Sequence, residues 1–224
     1  MTFEEFANHF MLGAKIDTPQ KMAICKHQYQ AYLLGMEDDK YFEPLDGAKD
    51  LSSIYLQNLY SILNFNKIAE DQLLFLIQPS FEAENLLIIE RLLGNYTLTH
   101  IALKKSYWSM YYADNSITSA ETILSKTFLK KSIGDKIFIL VEKAMKEAKI
   151  PRANRIVLDG TKYKLSKIIN KRRIDIEKHS PSVDSDPGRI IGLMETLIDL
   201  TKSNEHRIAE EKIESLLGMI LKSQ

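Results

Sequence analysis

The chain has 224 residues, 45% hydrophobic and 27% charged, with 30 Lys+Arg balancing 30 Asp+Glu. That is enough apolar material for one large core or two small ones, and it excludes wholesale disorder and the fibrous classes. A single cysteine, Cys25, excludes an intramolecular disulfide and suits a reducing compartment.

The opening Met-Thr-Phe-Glu-Glu-Phe has neither a basic n-region nor a long apolar run. No secretory signal is expected, and the chain reads as cytoplasmic. No stretch approaches the roughly 18 uninterrupted apolar residues of a spanning helix, so no membrane association is expected. Phe3, Phe6, Ala7, Phe10 and Met11 recur at helical spacing. Thr18-Pro19 reads as an N-cap with proline in the first turn. It opens a second helix with an apolar stripe of Met22, Cys25, Tyr29, Tyr32 and Leu33, ending near Gly35. Glu37-Asp38-Asp39 and the turn at 44–47 form a connection, and a third helix is expected over about 50–63, with Ile54, Tyr55, Leu59 and Ile62 inward. Residues 73–77 fit either a last helical turn or a short strand, and Pro79 ends them in either case.

After Pro79 the pattern becomes strand-like. Residues 86–93 and 96–107 read as a hairpin about Gly94-Asn95, with a third strand near 119–126. Ser132-Ile133-Gly134-Asp135 resembles a capping box, and Ile133, Ile137, Leu140, Val141 and Ala144 mark a helix that Pro151 stops. Strands are expected at 156–158, 163–169 and 173–179, around the Asp159-Gly160 turn. Asp186-Pro187 starts a helix to about Lys202, and Ala209, Ile213, Leu216, Leu217 and Ile220 give a terminal one. The fold expected is α+β: a helical N-terminal region over 1–77, then over 78–224 an antiparallel sheet of about five strands with helices packed on one face.

Gln78-Pro79-Ser80-Phe81, Leu158-Asp159-Gly160-Thr161 with Tyr163, and Ser180-Pro181 together resemble, over about residues 75–202, a pattern in small bacterial proteins of unknown function. In size and pattern these are similar to immunity proteins that neutralise toxins of competing bacteria. The resemblance implies a protein partner and carries over no functional residue.

The neutral total conceals an asymmetry. Residues 1–90 hold 6 Lys+Arg against 14 Asp+Glu, and residues 91–224 hold 24 against 16. Two partners of opposite sign would explain that split, and so would attraction between the two halves. Residues 126–178 alone carry 16 basic and 6 acidic side chains, including Lys171-Arg172-Arg173 at a hairpin tip. Such a stretch suits phosphates, but stacking aromatics are not interleaved with it. The densest aromatic cluster is Tyr107, Trp108, Tyr111 and Tyr112, the residue types that anchor protein interfaces. If the strand continued through it, Trp108 and Tyr107 would face opposite ways.

Phosphate-loop, dinucleotide, zinc-protease and serine-elbow signatures are all absent. The five histidines are scattered, and Cys25 and His27 fall on different helix faces, so no metal and no cofactor is expected. Ser80, Asp159 and His179 compose a hydrolytic set only if the fold brings them together, and each has a turn-forming role without it. The reading is therefore a non-enzymatic protein-binding protein, with toxin neutralisation its sharpest form. Candidate binding residues are Trp108, Tyr111, Tyr112, Lys171, Arg172 and Arg173. Nucleic-acid binding by 126–178 and an unrecognised hydrolase are the alternatives.

Overall fold

The computed structural model describes residues 2–10, 18–45, 54–65, 67–152, 160–203 and 206–222. Among them the helices are α1 (Phe3–Phe10), α2 (Pro19–Asp38), α3 (Ile54–Ile62), α4 (Tyr107–Ala113), α5 (Lys131–Glu147), α6 (Asp186–Lys202) and α7 (His206–Lys222). The strands are β1 (Glu43–Pro44), β2 (Gln72–Pro79), β3 (Asn85–Leu92), β4 (Asn95–Leu103), β5 (Thr122–Leu129), β6 (Thr161–Ile169) and β7 (Arg172–His179). All seven strands pair antiparallel in one sheet, in the order β1-β7-β6-β2-β3-β4-β5. The α+β class is as expected, but the sheet has seven strands rather than five.

The two extra strands come from the region read as helical and connecting. Residues 73–77 lie in β2, at the centre of the sheet between β3 and β6. Leu73 and Phe75 enter one core and Leu74 and Leu76 the other. A strand buried on both faces loses its polar alternation, which is why periodicity left this segment open. Position 77/78 falls inside this strand. β1 is a two-residue edge that holds the connection after α2 against β7. The strand expected at 156–158 lies outside the described residues.

Both faces of the sheet are covered. The long helices α5, α6 and α7 pack on one face around Leu73, Phe75, Leu87, Leu98, Leu165 and Ile176. On the other face Leu59, Leu63, Phe65 and Tyr107 cover Leu74, Leu76, Leu86 and Ile101. The apolar stripe of α6 is the reason it can serve as the inner helix, with Ile190, Met194, Leu197 and Ile198 all buried.

Several local expectations shift for identifiable reasons. α2 does not stop at Gly35, which is buried within the helix; it runs to Asp38. Ser132 to Asp135 is not a capping box, because α5 begins at Lys131 and its N-cap, Lys130, makes no side-chain cap bond. Asp135 instead accepts from Tyr96 Oη at 2.7 Å and Lys131 Nζ at 2.6 Å. The cap of α6 is Ser185, whose Oγ accepts from Gly188 N at 3.1 Å, while Asp186 occupies the first turn. Thr18 caps α2 as expected, accepting from Lys21 N at 3.2 Å.

Gly134 is required by a close approach. A Cβ there would overlap Cδ2 of the buried Tyr96 ring. Gly134→Ala is expected to cost about 2–3 kcal/mol by overpacking, read as a lower urea midpoint at unchanged slope.

His100 is fully buried. Its Nε2 lies 3.0 Å from Asn85 Oδ1 and its Nδ1 3.4 Å from Ser125 Oγ, which bonds in turn to Thr201 Oγ1 at 2.8 Å. Burial, with Lys202 nearby, pulls its pKa down to about 4. The unfolded chain takes up this proton near pH 6.5 and the native state only near 4. Stability is therefore lost as pH falls through that window, by about 3 kcal/mol. His100→Gln should flatten this part of the stability–pH curve.

Candidate functional site

The aromatic cluster sits where β4 leaves the sheet. The strand stops at Leu103 and α4 starts at Tyr107, so the cluster has helical rather than alternating geometry. Ser106 Oγ accepts from Ser109 N at 3.2 Å. The stronger anchor is Glu84, fully buried just before β3. Its Oε2 accepts from Tyr107 N at 2.7 Å, and its Oε1 accepts from Trp108 N and Tyr55 Oη, both at 2.8 Å. A buried carboxylate on two free N–H groups of a helix start is stabilised by those bonds and by the helix dipole. Burial first, and the Glu84 charge second, push the Tyr55 phenol well above its ordinary pKa.

Tyr55 of α3 is the hub of the rings. It stacks on Tyr107 at 5.4 Å, meets Trp108 edge-on at 5.3 Å and contacts Tyr111 at 5.5 Å. Tyr107 is buried and donates from Oη to Ile117 O at 2.7 Å. Tyr111 packs against the second core. Trp108 and Tyr112, four residues apart on one helix face, are left outside at 47% and 84% exposure, with ring centroids 6.4 Å apart. The strand that would have set Trp108 opposite Tyr107 ends at Leu103; on the helix the two point about 100° apart, and both rings touch Tyr55.

β5, which follows α4 in the chain, is the outer strand of the sheet, with no further strand on its far side among the described residues. Its Leu124 lies opposite Ile101 and its Phe128 opposite Thr97, on the face of the second core. They are 65% and 72% exposed. Lys126 stands between them opposite Thr99, exposed, with no ion-pair partner among the described residues. The exposed Lys104–Glu121 pair at 2.7 Å lies where this end of the sheet meets the loop before β5.

The basic segment does not form one patch. Asn170 and Lys171 make the β6–β7 turn with φ of 51° and 63°, leaving Lys171 and Arg172 exposed. Arg173 folds back, its Nε 3.1 and 2.9 Å from the two oxygens of buried Asp175. Lys130 pairs with Glu210 at 2.8 Å, Lys162 with Glu177 at 3.6 Å and Lys167 with Glu142 at 3.5 Å. Lys178 is buried, donating to Asp38 O at 2.8 Å and lying 3.3 Å from Glu43 Oε1. Asp38 also accepts from Arg152 N at 3.1 and 2.9 Å. Part of the charge asymmetry between the halves is thus internal attraction.

On the second-core face of β6 and β7 lies a polar cluster the sequence reading missed. Ser166 Oγ donates to Asp175 Oδ1, Lys164 Nζ is 3.8 Å from the same carboxylate, and the Tyr60 ring lies 5.6 Å from Lys164 Nζ. Lys164 is 2% exposed, and burial lowers its pKa to about 8. Its alternation with Tyr163 and Leu165 reads as an outward position, and only the covering of both faces makes it inward.

Of the hydrolytic set, Asp159 lies outside the described residues. Ser80 Oγ donates to Gly160 O at 2.8 Å and accepts from Gly160 N at 3.2 Å, a turn-closing role. His179 lies opposite Lys162 at the same end of the sheet, half-buried, with its pKa lowered by burial and by Lys162. Cys25 is buried and His27 exposed. Among the described residues no three His, Cys, Asp or Glu gather as a metal site, and no helix is long and apolar enough to cross a membrane. Comparison with protein-family models, with curated proteins and with solved structures finds no match.

Proposed function

We propose that this protein acts by binding another protein through the surface made by α4 and β5. The observation that carries the reading is the exposure of Trp108 and Tyr112 on α4 and of Leu124 and Phe128 on the outer strand, on the side of the sheet that α4 also covers. Amphipathic rings anchor interfaces, and an outer strand can accept a partner strand by main-chain pairing. Lys126, between the two apolar side chains, calls for a carboxylate. The occupant is a partner strand carrying an acidic residue between two apolar ones on one face. In its sharpest form, suggested by the immunity-like pattern, the partner is a toxin whose working surface is covered.

The nucleic-acid reading draws less support, because Lys130, Lys162, Lys167, Arg173 and Lys178 pair with carboxylates of this chain, and the exposed Lys126, Lys136, Lys146, Lys171 and Arg172 are spread over β5, α5 and the β6–β7 turn. With a partner in hand, Trp108→Ala and Tyr112→Ala are each expected to weaken binding by about 2 kcal/mol, roughly thirtyfold. Lys171→Ala with Arg172→Ala should change it little. Titration calorimetry reads both, and the reverse ranking would defeat the proposal.

A further inference from the structure

The helical layer on the other face of the sheet contains a second binding feature, independent of α4 and β5. Helices α6 and α7 are joined by residues 203–205 and pack together as an antiparallel hairpin. Between them lies a groove of about 440 Å³, within the size range of small-molecule sites. Its lining is Arg189, Gly192 and Thr196 from α6, and Lys212, Leu216, Met219 and Ile220 from α7. Both sets repeat at helical spacing, so each helix gives one continuous wall.

The groove is open at Gly192 because no side chain fills it: a Cβ placed there meets nothing within 4 Å. Thr196 Oγ1 donates to Gly192 O at 2.8 Å, which satisfies its hydroxyl within α6. The groove's interior wall is then Leu216, Met219 and Ile220. Arg189, from the first turn of α6, stands at the end near Ile220, and Lys212 stands about 12 Å away along α7 at ~1.5 Å per residue. Both cations are exposed, neither has an ion-pair partner among the described residues, and no lining residue is acidic.

We infer that this groove binds the chain of a small amphipathic carboxylate, such as a medium-chain fatty acid. The apolar wall takes the alkyl chain, and Arg189 or Lys212 takes the carboxylate. Charge complementarity selects this occupant: an uncharged chain would leave both cations unused, and an alkyl amine would be repelled. Calorimetric titration with decanoate, below its micelle concentration, is the test. Saturable one-to-one binding is expected, at least tenfold weaker for decylamine. Gly192→Leu fills the groove and should abolish binding, and Arg189→Ala/Lys212→Ala should weaken it at least tenfold. Thermal melts confirm folding, and if Gly192→Leu does not fold, the double variant decides. Absence of saturable binding, equal affinity for decylamine, or unchanged binding in the folded variants would overturn the inference. So would concentration-dependent dimerisation that decanoate does not disturb and that Gly192→Leu abolishes, since a second copy would then fill the groove.

Discussion

Asp175→Ala is expected to lower stability by about 3–5 kcal/mol, because it takes this carboxylate away from the buried Lys164 and the half-buried Arg173. Asp175 lies on β7 opposite Ser166 of β6, and its side chain is buried with that of Lys164. One carboxylate serves Ser166, Arg173 and Lys164 at once. Removing it leaves the Lys164 ammonium in a poorly solvated site and frees Arg173 from its fork. The same cluster gives a pH signature. Lys164 holds its proton to about pH 8 in the native state, against 10.5 ordinarily. Between those values the unfolded chain binds more protons, so stability rises with pH across that window, by about 3 kcal/mol. Above pH 10 the trend reverses, since Tyr60, Tyr96 and Tyr163 are pushed up to about 12 and keep protons that the unfolded chain releases. In Asp175→Ala the carboxylate that raises the Lys164 pKa is gone, so the alkaline gain should move to lower pH. Urea unfolding at several pH values measures both effects. A stability curve flat from pH 7 to 10 in the native sequence would contradict the buried-lysine assignment.

Glu84→Ala should have a comparable cost, about 3 kcal/mol, and a more local consequence. Its carboxylate is the partner of Tyr107 N, Trp108 N and Tyr55 Oη, so alanine takes the acceptor away from a buried helix N–H, from the part-buried one after it and from a phenol. α4 has seven residues and cannot hold its position by propensity alone. Trp108 is the only tryptophan in the chain, which makes the effect directly visible. In Glu84→Ala its emission should shift to the red and its quenching by iodide should rise, while the rest of the sheet unfolds later. Glu84→Gln keeps one acceptor oxygen and should fall between the two. An unchanged emission spectrum in Glu84→Ala would show that the carboxylate does not hold α4.

The parts of the fold that were legible in sequence are those whose residues report their own surroundings. Helices α5 to α7 each have one apolar face, and the β3–β4 and β6–β7 hairpins carry turn residues at their tips, so these elements lie close to where the sequence placed them. β2 was left undecided because a strand buried on both faces has no polar face to display. The end of β4 was missed because Ser106 is an inconspicuous cap and its stronger partner, Glu84, lies far away in sequence. Among the candidate residues, Trp108 and Tyr112 could be singled out because aromatic density is a local property. Arg173 belongs to an interior ion pair and not to the exposed basic tip, since register places it beside Asp175. Lys164, Ser166, Asp175 and His100 could not be found by pattern, because each sits in an alternating strand whose polar side became buried only when α3 and its neighbours, or α6, closed over it.

The most direct test of the proposed interface is quantitative affinity capture from the cells that make this protein. Tagged wild-type chain is compared with Trp108→Ala/Tyr112→Ala, with Leu124→Lys/Phe128→Lys and with Lys171→Ala/Arg172→Ala, each checked for folding. The interface on α4 and β5 predicts a stoichiometric protein that comes down with the wild type and the basic-tip variant and is lost from the other two. Retention of the same protein by the α4 and β5 variants, or co-purification of nucleic acid that only the basic-tip variant loses, would contradict it.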